Sequence, residues 1–163
     1  MTHSGAVKTP LRSLLAAVLL LASLAEGATA APGTPAARRD LSRDEALGGH
    51  TLSRHVGKTD AELRERLSQA RISAASTYTD RETAEEAVGA ALRDAQVKIE
   101  RWADRQGSRP NLVVDHRSPN VLGRSLRRGA RRPVDCYDAL VVLRWDTRRG
   151  RWFVLTSYPE ARR

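Results

Sequence analysis

The chain has 163 residues, a formal net charge of +9 and a single cysteine. This length fits one ordinary domain after a short leader and is too small for two full-sized domains. One cysteine excludes an internal disulfide, so the core must be held by packing alone. The positive charge favours a polyanionic partner without identifying it, and an arginine-rich composition alone also produces such a charge.

The first thirty residues have the pattern of a secretory signal peptide. Lys8 and Arg12 precede an apolar stretch over residues 14–25, and the small residues of 28–30 suit a cleavage site. The stretch is too short to span a bilayer, so we expect a secreted protein without stable membrane association, the alternative being an uncleaved anchor. The predicted divisions are a signal peptide over 1–30, a flexible leader over 31–39 and one domain over 40–163.

Helix signals dominate the first half of the mature chain. Ser42 with Glu45, and Thr59 with Glu62, have the spacing of a capping box, which marks a helix start. Apolar residues then recur at intervals of three and four after Asp80. The predicted helices cover residues 40–49, 59–70 and 81–106, with a further turn over 50–56.

Alternating apolar residues predict strands in the second half. Ala139, Val141, Leu143 and Trp145 share one face of such a strand. Helices followed by strands predict an α+β fold, with N-terminal helices packed on a C-terminal antiparallel β-sheet. The predicted strands cover residues 112–115, 134–146 and 151–158, with a short β-favouring segment over 76–79 and a basic loop over 123–132.

Four residues supply the chemistry that RNA cleavage without a metal requires. His55 lies in the predicted turn over residues 50–56, and an imidazole exchanges protons near neutral pH. Arg66 flanks the apolar stripe of its helix, and a guanidinium can bind two phosphate oxygens at once. Thr156 and Tyr158 lie two apart on the last strand, so their hydroxyls leave the same face. Together they predict attack by the RNA 2′-hydroxyl, leaving a 2′,3′-cyclic phosphate.

Both strand hydroxyls also have an ordinary structural interpretation. Strand parity predicts that Thr156 and Tyr158 share a face with Trp152 and Val154, which are core-type residues. Tyr158, which precedes Pro159, can then simply close a core, or its ring can stack on a base.

Three basic residues are candidates for binding the RNA backbone. Lys58 lies shortly after His55, and Arg124 and Arg128 belong to the predicted basic loop. A solvated surface loop is the competing interpretation of the two arginines.

The remaining candidates are weaker. His50 and His55 are five residues apart, which does not match the i, i+4 pair of a helical metal site, and His116 lacks companion ligands nearby. Cys136 at a strand start is typical of a small buried residue rather than a nucleophile. No carboxylate cluster resembles a two-metal nuclease, so we expect no metal and no cofactor.

The ordered motifs resemble those of a known family, the bacterial RNase A-like toxin domain at the C-terminus of contact-dependent growth-inhibition effectors. The resemblance covers about residues 45–160. Its motifs are Gly49-His-Thr-Leu-Ser-Arg-His-Val-Gly-Lys58, Leu63 to Leu67, Ser76 to Thr79, the long helix ending at Trp102, Gly123 with Arg128-Gly129, Val141 to Arg144, and Thr156-Ser-Tyr-Pro159.

The resemblance implies an RNase A-like fold without disulfides, metal-independent RNA cleavage and neutralisation by a cognate immunity protein. It places the active site at His55, Arg66, Thr156 and Tyr158. Tyr78 stands where phenylalanine is expected, and the second catalytic histidine of pancreatic-type enzymes has no clear counterpart.

We therefore expect a monomeric, exported, toxin-type endoribonuclease with RNA as its substrate. The alternative is a non-catalytic exported basic module that binds nucleic acid or an acidic surface polymer, using the same charge without needing His55.

Overall fold

The computed structural model describes residues 38–162. The predicted signal peptide and the predicted leader up to residue 37 lie outside the described residues. Arg39 already contacts the fold, because its guanidinium donates to both carboxylate oxygens of the buried Asp44, at 2.8 and 2.7 Å.

Within residues 38–162 the chain forms five helices and six strands, and the α+β class predicted from the sequence is confirmed. The helices are α1 (Leu41–Glu45), α2 (Thr51–His55), α3 (Asp60–Gln69), α4 (Arg81–Asp94) and α5 (Gln96–Ala103). The strands are β1 (Ala74–Tyr78), β2 (Leu112–Arg117), β3 (Gly123–Arg127), β4 (Val134–Cys136), β5 (Asp138–Asp146) and β6 (Arg151–Glu160).

The helix starts follow the sequence closely, with one exception. Thr59 and Glu62 form the predicted capping box of α3. The expected box at Ser42 and Glu45 is wrong: Asp40 is the N-cap of α1, and its carboxylate accepts from the Ser42 backbone N–H at 3.1 Å. An Asp two residues earlier satisfies the same free donors at the helix start.

The predicted long helix over 81–106 is two helices. Ala95, with φ −100° and ψ 11°, ends α4 and precedes α5. Alanine favours the helix interior, and no Gly or Pro lies within five residues of Ala95, so local propensity does not explain the break.

Two three-stranded antiparallel sheets replace the single predicted sheet. The first has the order β1-β3-β4 and the second β2-β5-β6. The predicted strand over 134–146 divides at Tyr137, so that β4 joins the first sheet and β5 the second. The predicted basic loop begins as strand β3, where Gly123 pairs with Tyr78. A Cβ at Gly123 would lie 2.1 Å from the Thr77 carbonyl oxygen, so only glycine permits this pairing.

The main core lies between α4, α5 and the second sheet, as the predicted packing of helices on a sheet requires. A smaller cluster fixes α3 on the first sheet through Leu63, Leu67, Ala75 and Leu126. Buried members of the main core include Ala84, Val88, Ala91, Ile99, Trp102, Val114, Val141, Leu143 and Val154. Among the described residues, no helix is long and apolar enough to cross a membrane.

A β-bulge in β6 changes which residues share a face. Val142 pairs with Thr156 and Leu143 with Val154, so Leu155 is an extra residue on its strand. The prediction that Thr156 shares a face with Val154 is therefore wrong. Thr156 and Tyr158 still lie on one face, because both follow the bulge.

A buried hydrogen bond connects the two sheets. The Tyr78 hydroxyl of β1 lies 2.6 Å from the Ser157 hydroxyl of β6, and both residues are fully buried. The sequence resemblance leads us to expect phenylalanine at position 78. The tyrosine found there has a polar partner that phenylalanine would lack.

Replacing Tyr78 by Phe should lower the free energy of unfolding by about 1–2 kcal/mol, because it leaves the Ser157 hydroxyl without its partner. Denaturant unfolding measures the change. Tyr137→Phe is the matched control, since Tyr137 is 38% exposed. Equal effects of the two substitutions would show that the buried bond contributes nothing.

Candidate active site

The start of α2 is bonded to β6, which is an edge strand of the second sheet. The Thr51 hydroxyl accepts from the Ser157 backbone N–H at 2.9 Å. The carboxylate of Asp44, in the first turn of α1, accepts from the Val154 N–H at the same distance. Side chains thus satisfy two buried edge donors that have no strand partner.

The bulge also contributes to this attachment. The Leu155 carbonyl accepts from the His50 backbone N–H at 3.0 Å. Close approach of the chain requires Gly49, because a Cβ there would lie 2.5 Å from the Val154 carbonyl oxygen. The Gly49-His motif noted in the sequence therefore docks α2 on β6.

The other end of α2 is bonded to β1. The Gly57 N–H donates to the Tyr78 carbonyl at 3.1 Å, and the Lys58 N–H donates to the Thr77 hydroxyl at 2.9 Å. A five-residue helix is unstable by itself. Attachment at both ends fixes His55, its last residue, between the two sheets.

His55, Arg66, Thr156 and Tyr158 line one cleft of about 530 Å³. They come from α2, α3 and the end of β6, so the fold brings together four residues that are up to 103 positions apart in the numbering of the chain. The cleft is also lined by His50, Arg71, Ile72, Ser73, Ala74, Ala75, Ser76, Ser125, Pro159 and Glu160.

The His55 imidazole is 6% exposed and its ring centroid lies 5.3 Å from that of Tyr158. Its Nδ1 lies 3.3 Å from the Ser76 carbonyl oxygen and 3.4 Å from an Arg66 guanidinium nitrogen. Nδ1 cannot donate to the first and accept from the second at once. Arg66 has another acceptor, the Arg54 carbonyl at 3.2 Å, so we assign the Nδ1 proton to the Ser76 contact. This tautomer leaves Nε2 unprotonated.

Burial, and next the positive charge of Arg66, lower the pKa of His55 from 6.5 to about 4. The ring is therefore neutral near pH 7 and can accept a proton. Because the unfolded chain has the ordinary histidine pKa, this group destabilises the fold progressively as the pH falls from about 6.5 towards 4.

The Arg66 guanidinium is half-buried, and no carboxylate lies within ion-pair distance of it in the described part of the chain. Burial, and next the charge of Arg54, lower its pKa, but a guanidinium stays protonated in proteins. An unpaired cation at a cleft favours an anionic ligand.

Two hydroxyls complete the cleft. Thr156 Oγ1 is buried and has no hydrogen-bond partner among residues 38–162. Burial, and next the charge of Glu160, raise the pKa of the Tyr158 phenol, which therefore remains a donor. Buried polar atoms are nearly always paired, so an unpaired hydroxyl at a cleft indicates a place where a ligand binds.

A family model described as the bacterial CdiA-CT RNAse A domain matches residues 49–159. The chain belongs to this family. A solved structure, that of a CdiA-CT/CdiI complex from Y. kristensenii 33638, matches with 33% sequence identity and a TM-score of 0.62, covering 69% of this chain and all of the other. No curated protein matches the chain.

Membership makes the protein an endoribonuclease of the RNase A-like toxin type, and it confirms the family expected from the sequence motifs. The matched segment contains all four predicted site residues that line the cleft. An enzyme is thereby favoured over a purely binding module, which would not need a neutral buried imidazole.

The three predicted RNA-binding residues do not line this cleft. Lys58 lies 3.7 Å from Glu62 and lines a groove between α2 and α3 that shares Arg66 with the cleft. Arg124 donates to Asp60 and to the Lys58 carbonyl, both at 2.8 Å. RNA binding by Lys58 and Arg124 stays a prediction.

Arg128 has a structural explanation for its position. Its guanidinium donates to the carbonyls of Leu67, Ala70 and Ile72, at the end of α3. Free carbonyls at a helix end favour such a cation. Its predicted contact with RNA would have to compete with these bonds and stays untested.

Of the weaker candidates, only His50 lines the cleft. His116 lies 2.7 Å from the Asp94 carboxylate and does not line the cleft, whereas His50 does. Cys136 is fully buried, and burial followed by the charge of Asp135 raises the pKa of its thiol to about 12. This agrees with the expectation of an unreactive cysteine.

Two serines in the cleft are not among the site residues predicted from the sequence. Ser76 of β1 and Ser125 of β3 are direct cross-strand partners, and both are buried. Their pairing joins residues 49 positions apart, and no local pattern in either segment indicates it.

Replacing Arg66 by Met should raise the pKa of His55, because it removes a neighbouring positive charge. The value should stay below 6.5, since burial is the larger cause. An NMR titration of the His55 ring measures both. Arg64→Met, on the exposed side of the same helix, should leave the value unchanged. A His55 pKa near 6.5 in the unaltered protein would contradict the burial seen here.

Proposed function

We propose that the protein cleaves RNA phosphodiesters without a metal, by attack of the 2′-hydroxyl, and releases a 2′,3′-cyclic phosphate. One observation carries the proposal: a neutral buried imidazole, an unpaired guanidinium and two hydroxyls share one cleft. Among residues 38–162, no three His, Cys, Asp or Glu side chains are grouped to hold a metal ion.

His55 begins the reaction by accepting a proton at Nε2. The proton leaves the 2′-hydroxyl, the 2′-oxygen bonds to phosphorus, and the bond from phosphorus to the 5′-oxygen breaks. A second proton must reach the departing 5′-oxygen. The Ser76 carbonyl holds the Nδ1 proton, so it fixes the tautomer and stabilises the imidazolium that forms.

Arg66, Thr156 and Tyr158 bind the phosphoryl oxygens in this scheme. The guanidinium offers paired donors, and the two hydroxyls leave β6 on one face, beside the His55 ring. Negative charge on these oxygens grows as the pentacoordinate state forms. Donors already fixed in a partly buried cleft stabilise that state more than the ground state.

The biological setting that we propose is that of an exported toxin. The predicted signal peptide over 1–30, leader over 31–39 and domain over 40–163 fit a secreted monomer that does not stay on the membrane. A cognate immunity protein is proposed as its partner, because the related CdiA-CT of known structure is in complex with CdiI.

Purified protein should cleave RNA in EDTA and leave cyclic-phosphate ends. His55→Ala should reduce the rate by at least about 100-fold, the scale of one general-base contribution. His116→Ala is the matched control, because His116 lies outside the cleft. RNA that is retained but not cut by the unaltered protein would support the non-catalytic binding module instead.

Arg66→Lys should also lose about 100-fold in rate, because one ammonium cannot reproduce two parallel donors. Arg64→Lys, two positions away on the exposed face of α3, should retain the rate. The steady-state rate of cleavage of a short RNA is measured for both variants and for the unaltered protein. Near-normal activity of Arg66→Lys would remove this residue from phosphate binding.

A further inference from the structure

The proposed reaction has two proton transfers, and His55 accounts for only one of them. As the 2′-oxygen loses a proton to His55, the 5′-oxygen must gain a proton from another group. Two cleft residues can hold such a proton, His50 and Tyr158. The inference below rests on the proposed function and concerns this second group.

His50 is held at the cleft by its backbone. It is the N-cap residue of α2, and its N–H donates to the Leu155 carbonyl at the β-bulge, directly before Thr156. Its side chain is half-buried and lines the same cleft as His55 and Arg66. The backbone position of His50 therefore follows from the same contacts that dock the helix on β6.

The ring of His50 has no hydrogen-bond partner within the described residues. The other two histidines in the described part of the chain differ: His55 contacts the Ser76 carbonyl, and His116 contacts the Asp94 carboxylate. A half-buried imidazole without a protein partner, at the wall of a cleft, is available to a ligand.

Charged and titratable groups face His50 from each neighbouring element. Glu45 belongs to α1, Arg54 and His55 belong to α2, and Arg66 belongs to α3. Strand β6 contributes Tyr158 and Glu160 to the cleft. Burial, and next the charge of Arg54, lower the pKa of His50, whereas Glu45 raises it. The lowered pKa favours the neutral ring, so protonation of His50 requires a more acidic pH than an ordinary histidine needs.

We propose that the His50 imidazolium is the general acid that donates a proton to the departing 5′-oxygen. Each turnover moves one proton from the 2′-hydroxyl to His55 and one from His50 to the 5′-oxygen. His50 ends neutral and His55 ends as an imidazolium. Exchange with water restores both, so the enzyme needs no other reactant.

A pair of dinucleotide substrates tests this role directly. One has the natural 5′-oxygen at the scissile bond, and the other has sulfur there, which leaves as a thiolate without needing a proton. His50→Gln should slow cleavage of the oxygen substrate by at least about 100-fold. The same variant should cleave the sulfur substrate within a few-fold of the unaltered enzyme.

Three comparison variants identify the cause. His55→Ala should lose both activities, since both substrates need the base, and His116→Gln should lose neither. If the sulfur substrate restores the cleavage rate of Tyr158→Phe but not that of His50→Gln, the acid is Tyr158 and the proposal is wrong. If His50→Gln slows both substrates equally, His50 only positions the helix, and the proposal is also wrong.

The pH dependence of kcat/KM gives an independent readout. The unaltered enzyme should gain activity as His55 loses its proton near pH 4, and lose activity at higher pH as His50 deprotonates. His50→Gln should abolish the fall at higher pH. Cleavage of neither substrate by the unaltered protein at any pH would instead refute the proposed function itself.

Discussion

Ser157 makes the two buried hydrogen bonds on which the cleft depends. Its backbone N–H donates to the Thr51 hydroxyl and so holds α2, while its side chain bonds to the Tyr78 hydroxyl and so holds β1. The residue lies between Thr156 and Tyr158. One buried serine thus fixes both cleft hydroxyls relative to the helix that ends in His55, in a chain whose core has no disulfide to assist.

Burial and charge act together on the chemistry of the cleft. His55 is neutral because it is buried and lies beside Arg66, and Arg66 lacks a carboxylate partner among the described residues. A bound phosphate would neutralise the guanidinium and favour protonation of the ring. The arrangement is therefore suited to a base that gains a proton as negative charge develops on the phosphate nearby.

The net positive charge of the chain divides into two parts in the structure. Three arginines donate to carboxylates and carbonyls of the chain itself. Arg39 fixes the chain before α1, Arg124 the start of α3 and Arg128 the end of α3. Exposed arginines such as Arg71 at the cleft remain for a polyanion. Total charge thus overstates the surface that RNA can use, since a guanidinium bound to several acceptors would have to give them up.

The sequence by itself determined the α+β class, the capping box of α3 and the four residues at the cleft, because caps, periodicity and ordered motifs are local signals. It did not determine the break at Ala95, the division into two sheets, the bulge at Leu155 or the pairing of Ser76 with Ser125. These features depend on contacts between segments far apart in the chain. Tertiary structure alone decided which arginines bond to carboxylates and carbonyls of the chain itself, and that His50, rather than His116, lines the cleft with His55.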